Sequence, residues 1–412
     1  MTGNPVVQPV KKKRAMRPAE FIAFSACSMM LTALGIDIML PVFAELRAHF
    51  GLGTTATATA HIIEFFFMGQ VAQIVFGLLS DRFGRLAILR TGFPLYIAGG
   101  VAATFAPSLE LMYAARFVAG AGASAVFMTT IAGVRDRFVG DQMARTMSLI
   151  LTIFLFTPVI APFLGQAILH VSSWRMVFLT PPIFAVIVFA WSLRLEESLP
   201  RERRIVLKWA NISQSVKRVT GNRVFLRYMV TTTLLFAALS SYVSSSERIV
   251  GEIYGRPELF SWIFAGIGLL MAFFALMNSR LSTRYGARRA IRWLLVIYLV
   301  LAGLLLLFTF LTNDPPDMRV FFIAVSLMMA LNLAIEPNSG ALALEPLGHV
   351  AGIAAAVYGT VFFFIGSSLG AVISHFMVYG VFPLVLSFFI IGLIAVLLVF
   401  GDRRPLLQKY SR

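Results

Sequence analysis

The sequence predicts an all-α integral membrane protein of twelve transmembrane helices, arranged as two pseudo-symmetric six-helix bundles. Three observations predict it. Hydrophobic residues make up 58% of the 412 residues and charged residues only 13%, with a mean hydropathy of +0.84, whereas a soluble domain carries about 25% charged residues to cover its surface. Twelve apolar runs recur, each long enough to cross ~30 Å of hydrocarbon at 1.5 Å rise per residue. Finally, Leu79-Ser80-Asp81-Arg82-Phe83-Gly84 is echoed 202 residues later by Leu281-Ser282-Thr283-Arg284-Tyr285-Gly286. A basic turn after the second apolar run of each half is the mark of a duplicated bundle.

The runs fall at about 19–44, 58–79, 87–106, 109–133, 143–169 and 176–194 in the first half. In the second half they fall at about 223–246, 258–280, 288–311, 318–340, 350–377 and 381–401. They are rich in Leu, Ala, Phe and Met and lack the ten-residue alternation of a membrane barrel, so they are helices. The first run holds the single cysteine, Cys27, which excludes an internal disulfide or a thiolate metal site. Run 2 contains His61, Glu64 and the triplet Phe65–Phe67, and ends in the basic turn. The fourth carries Arg116 and the small-residue stretch Gly120–Ala125, which suits close helix packing. Run 5 contains Pro158, Pro162 and Gly165, and the polar stretch 195–222 links the two bundles. Run 7 closes on the serine-rich strip Ser240–Ser246. Run 10 carries Glu336-Pro337-Asn338, where the proline is expected to break the helix and suit a gate. The eleventh contains Phe362–Phe364. Both phenylalanine triplets are expected mainly against lipid, with one member of each free to wall a cavity. The resulting division is a tail over 1–18, bundles over 19–194 and 223–401, the linker over 195–222 and a tail over 402–412.

The formal net charge of +16 is a topology signal. An even number of spans puts both termini on one side, and 29 of the 35 Lys and Arg residues fall on that side. Basic loops stay in the cytoplasm, so both termini are expected there. Lys11–Arg14 precedes a run too long for a signal-peptide core, so an uncleaved first helix is expected. Nothing in the charge distribution calls for nucleic acid.

Gly77-Leu-Leu-Ser-Asp-Arg-Phe-Gly-Arg85 resembles the signature after the second helix of the major facilitator superfamily, with Leu86 in place of its second basic residue. Gly84 permits a tight turn. The resemblance implies a cytoplasmic latch built on Asp81 and Arg85, joined by Asp136, with Gly77 and Arg82 in the same motif. Thr283 stands in the echo where Asp81 stands in the first half, so that latch is asymmetric. Three further stretches resemble the bicyclomycin/chloramphenicol-resistance type of drug-proton antiporter: Gly35-Ile-Asp37-Ile-Met-Leu-Pro41, Arg135-Asp136 with Ala144–Ser148, and Pro158-Val-Ile-Ala-Pro162-Phe-Leu-Gly165. The last corresponds to the antiporter motif. The resemblance implies a substrate cavity between the halves, lined by the first and fourth helices among others. Ser246-Glu247-Arg248 departs from the usual apolar residues of that group, which points to a different substrate.

Charged side chains deep in a bilayer cost at least ~2.5–3.5 kcal/mol, so each needs a reason. Asp37, Glu64 and Arg116 all fall ~9–11 Å below the outer boundary. Asp37 is expected to be the protonation site, with Arg116 pairing with it or competing for its charge; the alternative is a structural ion pair between the first and fourth helices. Glu64 and His61 share a helix face, and either extend a proton path, contact a cationic substrate, or pair with a neighbouring helix. Glu336 either meets substrate at the inner mouth or caps the break at Pro337. Tyr242 and Asn338 complete the expected cavity residues.

No G-x-x-x-x-G-K-[ST] cradle, G-x-S-x-G elbow or paired metal ligands occur, so neither ATP hydrolysis nor an enzyme activity, metal or cofactor is expected. The predicted function is proton-coupled export of small amphipathic drug-like compounds by a monomer in a bacterial inner membrane. The alternatives are a dedicated metabolite exporter, a proton symporter, or a non-transporting sensor that docks a partner on the linker.

Overall fold

The computed structural model describes residues 16–53, 56–204, 209–312 and 314–402. Among them are twelve helical spans long and apolar enough to cross a membrane. In the first half these are α1 (Pro18–His49), α2 (Ala58–Phe83), α3 (Arg85–Thr104), α4 (Leu109–Arg137), α5 (Arg145–Val171) and α6 (Trp174–Ser192). The second half comprises α7 (Arg223–Ile253), α8 (Pro257–Tyr285), α9 (Ala287–Thr312), α10 (Met318–Gly348), α11 (Ala351–Phe376) and α12 (Phe382–Phe400). No strand occurs among the described residues. Within each half the helices pack closely, above all α3 on α4 and α7 on α11. The halves meet along two seams, α5 against α8 and α2 against α11.

The sequence repeat has a structural cause. Gly84 ends α2 at φ +102° and Gly286 ends α8 at φ +83°. That left-handed region is costly for residues with a Cβ, so one glycine per half makes the sharp reversal into the next span. The face that holds these turns also carries the start of α1 and the end of α12, and is termed the terminal face.

Several elements differ from expectation. The span α7 runs on past Ser246 and ends in a π-helical turn, Ile249–Ile253. Its charged residues stay inside the helix because each finds a partner. The α-helix of α10 continues unbroken through Pro337, from Met318 to Leu344; the irregular residue is Leu347, with φ −118° and ψ +23°. The linker contains a short helix, Trp209–Thr220, which packs on the second half. Most of both expected tails lies outside the described residues.

Two spans are interrupted where the chemistry lies. In α1 the regular helix stops at Asp37, and a 3-10 turn, Leu40–Val42, follows. Pro41 has no N–H to give the Asp37 carbonyl, which removes one helical hydrogen bond at this point. In α2 a 3-10 turn at Gln70–Ala72 separates His61–Gly69 from Gln73–Phe83. Beside it α2 and α4 come into backbone contact. A Cβ at Gly69 would collide with the Phe117 carbonyl, and one at Gly120 with the Phe66 carbonyl.

Candidate functional site: a cavity between the two halves

Between the halves lies a cavity of about 2050 Å³. It extends from Asp37 down to Asp81, Arg85 and Asp136 at the terminal face. A pocket for one drug-sized ligand spans about 300–1000 Å³, so this volume includes a wide mouth.

Asp37 lines the cavity and is only 6% exposed. Among the described residues no hydrogen bond or ion pair reaches its carboxylate. The end of the regular helix places it there, and Gly165 of α5 holds the following turn. A Cβ at Gly165 would strike the Ile38 carbonyl. Pro158 also lines the cavity, while Pro162 is buried within α5.

Arg116 does not pair with Asp37, contrary to the sequence-based expectation. It is 1% exposed and sits on the far side of α1. Its Nη2 donates to the Gly35 carbonyl at 2.5 Å, and its Nε to the Ile62 carbonyl at 3.3 Å. Its guanidinium lies 4.4 Å from the centre of the Phe66 ring. The Gly35 carbonyl is free because the Met39 N–H has turned to Ile36, at 3.3 Å. Gly35 and Asp37 are two residues apart and so point about 200° apart around the helix. The guanidinium therefore ties the back of α1 to α2 and α4 while Asp37 faces the cavity.

Glu64 and His61 are not cavity residues either. Glu64 is fully buried in the seam. Its Oε2 meets His61 Nδ1 at 2.6 Å, and its Oε1 accepts from Ser244 Oγ of α7 at 3.0 Å. Ser244 in turn bonds Ser374 of α11 at 3.1 Å. Counting residues along α2 does not say which way Glu64 points; the rotation of α2 decided that. Asn338 is likewise outside the cavity, bonded to Asn278 at 2.7 Å and Ser282 at 2.8 Å.

Glu336 and Tyr242 do line the cavity. Among the described residues Glu336 has no hydrogen bond or ion pair. Tyr242 is 1% exposed, and its hydroxyl has no partner among the described residues. Sequence reasoning missed Thr32 and Gln70, which also line the cavity and carry polar atoms left unpartnered among those residues. Around these groups stands an aromatic wall. Phe236 lies 4.4 Å from Phe362 and 5.2 Å from Phe363, and Phe67 packs 5.1 Å from Phe236 (all between ring centres). Of the two triplets, Phe67 and Phe363 meet across the halves, 6.4 Å between ring centres. Phe65 stacks on Tyr113 and Phe66 lies under Arg116 within the first half, and only Phe364 of the second triplet is well exposed.

The end of the cavity away from the terminal face is closed by charge. Arg47 of α1 is 3% exposed and bridges two carboxylates of α7, Glu247 at 3.0 Å and Glu252 at 2.6 Å. It also donates to Thr59 at 3.2 Å. Arg248 pairs with Glu252 at 3.2 Å and donates to the Met377 carbonyl at 2.8 Å. Neither Glu247 nor Arg248 touches the cavity, so the reason for expecting an unusual substrate disappears. Their unusual sequence builds this inter-half clasp. The signal that pointed to it was the pair of charges at the end of run 7 and Arg47 at the end of run 1.

At the terminal face Arg85 gathers the expected motif. It contacts Asp81 at 2.5 Å, Asp136 at 2.9 Å and Ser80 at 3.0 Å. Glu197, from the linker, accepts from the Arg85 and Leu86 backbone amides at 2.9 and 3.2 Å, where the helix dipole of α3 favours a carboxylate. All of these belong to the first half or the linker, so the group does not cross to the second half in this conformation. Arg82 lies over its neighbour Phe83, and nothing lies within 4 Å of a Cβ at Gly77, which faces the open mouth.

Comparison with known proteins places the sequence and the fold. The bicyclomycin resistance protein homolog of Haemophilus influenzae is 28% identical over 360 residues, covering 86% of this chain and 88% of that protein. The chloramphenicol resistance protein of Pseudomonas aeruginosa is 27% identical over 391 residues, covering 91% and 90%. A crystal structure of the nucleoside transporter NupG, solved as a point mutant, superposes with a TM-score of 0.72 at 13% identity, over 92% of this chain and 98% of that one, a likeness of fold alone. A sequence profile of the Major Facilitator Superfamily matches residues 25–371. With twelve spans, a turn motif repeated in each half and a central cavity closed at one end, the chain belongs to the Major Facilitator Superfamily of membrane transporters.

Proposed function

We propose that this transporter is a proton-coupled antiporter that exports small amphipathic compounds across a bacterial inner membrane by alternating access. The observation that carries the reading is Asp37, a cavity carboxyl 6% exposed and without a partner among the described residues. A bare carboxylate in an apolar, membrane-embedded chamber is costly, so Asp37 needs either a proton or a cation. Which of them it takes depends on what fills the chamber, and that exchange is the basis of coupling. The names of the bacterial relatives support drug-like cargo. The excess of Lys and Arg on the terminal face supports a cytoplasmic position for both termini. In that orientation the clasp on Arg47 seals the outside and the cavity opens to the cytoplasm.

The test is flux in proteoliposomes driven by an imposed pH gradient, with chloramphenicol as a first cargo and wider compound sets after it. Asp37→Asn is expected to fold and insert normally but to lose gradient-driven flux. Undiminished coupling in that variant would overturn the proposal. The sign of the gradient that drives accumulation separates export from symport.

A further inference from the structure

The second half of the cavity carries its own chemistry. Glu336 lies on α10, eight residues before the end of its α-helix at Leu344, or ~12 Å from the terminal face. Asp37 lies 19 residues into α1, or ~28 Å from the same face. The two acids therefore stand at different depths and on different halves. One turn before Glu336, Asn332 lines the same cavity and is 5% exposed. Its amide nitrogen donates to the Leu235 carbonyl at 2.6 Å, which leaves its oxygen as an acceptor without a partner among the described residues. At i and i+4, Asn332 and Glu336 share one face of α10.

Cationic side chains are scarce at this level. Arg85, Arg135 and Arg280 line the cavity, but Arg85 is already held by Asp81 and Asp136. Arg135 lies two residues from the end of α4, and the exposed Arg280 five from the end of α8. None of them forms an ion pair with Glu336. The same cavity is lined by Tyr358 and Phe362, stacked with ring centres 6.2 Å apart and interplanar angle 10°. Their faces attract a cation or another aromatic ring.

We propose that Glu336 and Asn332 form an amine subsite: the cavity takes a protonated aromatic amine, whose N–H groups donate to both acceptors while its ring packs on Tyr358 and Phe362. The inference rests on the reading of the cavity as the substrate chamber. It assigns charge selection to α10 of the second half and leaves the proton to Asp37 in the first. A substrate entering from the terminal face meets Glu336 before it reaches Asp37.

The experiment measures equilibrium binding to purified protein in detergent with three probes. These are 9-aminoacridine, an aromatic cation with N–H donors; tetraphenylphosphonium, an aromatic cation without them; and neutral chloramphenicol. Glu336→Gln is expected to weaken 9-aminoacridine at least tenfold and tetraphenylphosphonium by less, with chloramphenicol changed less than twofold. Asn332→Leu is expected to weaken 9-aminoacridine alone, and Glu336→Asp to retain part of the binding that Glu336→Gln loses. A chloramphenicol affinity within twofold of the parent also shows that a variant has kept its fold. Equal losses for all three probes, or none for 9-aminoacridine, would overturn the subsite. Wild-type protein that binds chloramphenicol but neither cation overturns it too, yet leaves the chamber intact. Failure to bind any of the three would overturn the chamber reading itself.

Discussion

Arg116 shows how a single buried charge is kept without a carboxylate. Two backbone carbonyls and the Phe66 ring take the place of a counter-ion, and a hydrogen bond from a charged donor is worth about 1.5–3 kcal/mol. Arg116→Met removes both bonds and leaves the Gly35 carbonyl unsatisfied. Thermal unfolding of the purified variant should show a loss of at least ~2 kcal/mol. Arg116→Lys should recover only part of that loss, because a single ammonium lacks the planar fork that spans α1 and α2. Equal stability of the methionine variant would show that the carbonyl contacts contribute nothing. Asp37→Asn should not share this defect, since no contact among the described residues depends on its charge. The two residues, at matched depth in sequence, thus separate into one that positions α1 and one that faces the chamber.

At the scale of elements, the contact between α2 and α4 and the clasp between α1 and α7 make different demands. Gly120 meets the Phe66 carbonyl with no room for a side chain. Gly120→Val should therefore abolish recovery of folded protein, as measured by monodisperse gel filtration, whereas Gly266→Val in α8, where a Cβ meets nothing within 4 Å, should be tolerated. The clasp is electrostatic. Removing one partner of a buried ion pair costs about 3–5 kcal/mol because the other charge is left uncompensated. Arg47→Ala leaves Glu247 without its counter-charge while Glu252 keeps Arg248, removes the charge tie between α1 and α7, and should favour the conformation in which they part. Distances between spin labels on the far ends of α1 and α7 should lengthen. The charge-reversed pair Arg47→Glu with Glu247→Arg should shorten them again, at least partly, since Glu252 still faces the new glutamate. Unchanged distances in Arg47→Ala would show that apolar packing alone closes this end.

For the whole molecule, one end is sealed between the halves and the other is open, so transport requires the halves to rock about the cavity. Gly77 faces open space at the mouth, and closure of the terminal face brings the second half toward it. Gly77→Trp should leave folding and binding from the terminal side intact while flux falls below a tenth of the parent. Full flux would mean that α2 does not approach the second half at that point.

The sequence by itself determined the spans and the repeat, because bilayer thickness fixes helix length and each reversal needs a residue that tolerates positive φ, as at Gly84 and Gly286. A proline removes one backbone donor wherever it stands, yet α1 gives way before Pro41 while α10 runs through Pro337, so the surroundings of each span decided where a helix breaks. Orientation around each helix axis was another matter. Depth follows from counting residues, but the direction of Glu64, His61, Asn338 and Arg116 depends on packing against spans distant in sequence. The tertiary structure alone turned Glu64 into the seam, set Arg116 behind α1, and brought Arg47 to Glu247 across 200 residues of chain. Hydrophobic length is a local property and can be read along the chain. Pairing of buried charges is a property of three-dimensional neighbours, and only the assembled halves decide it.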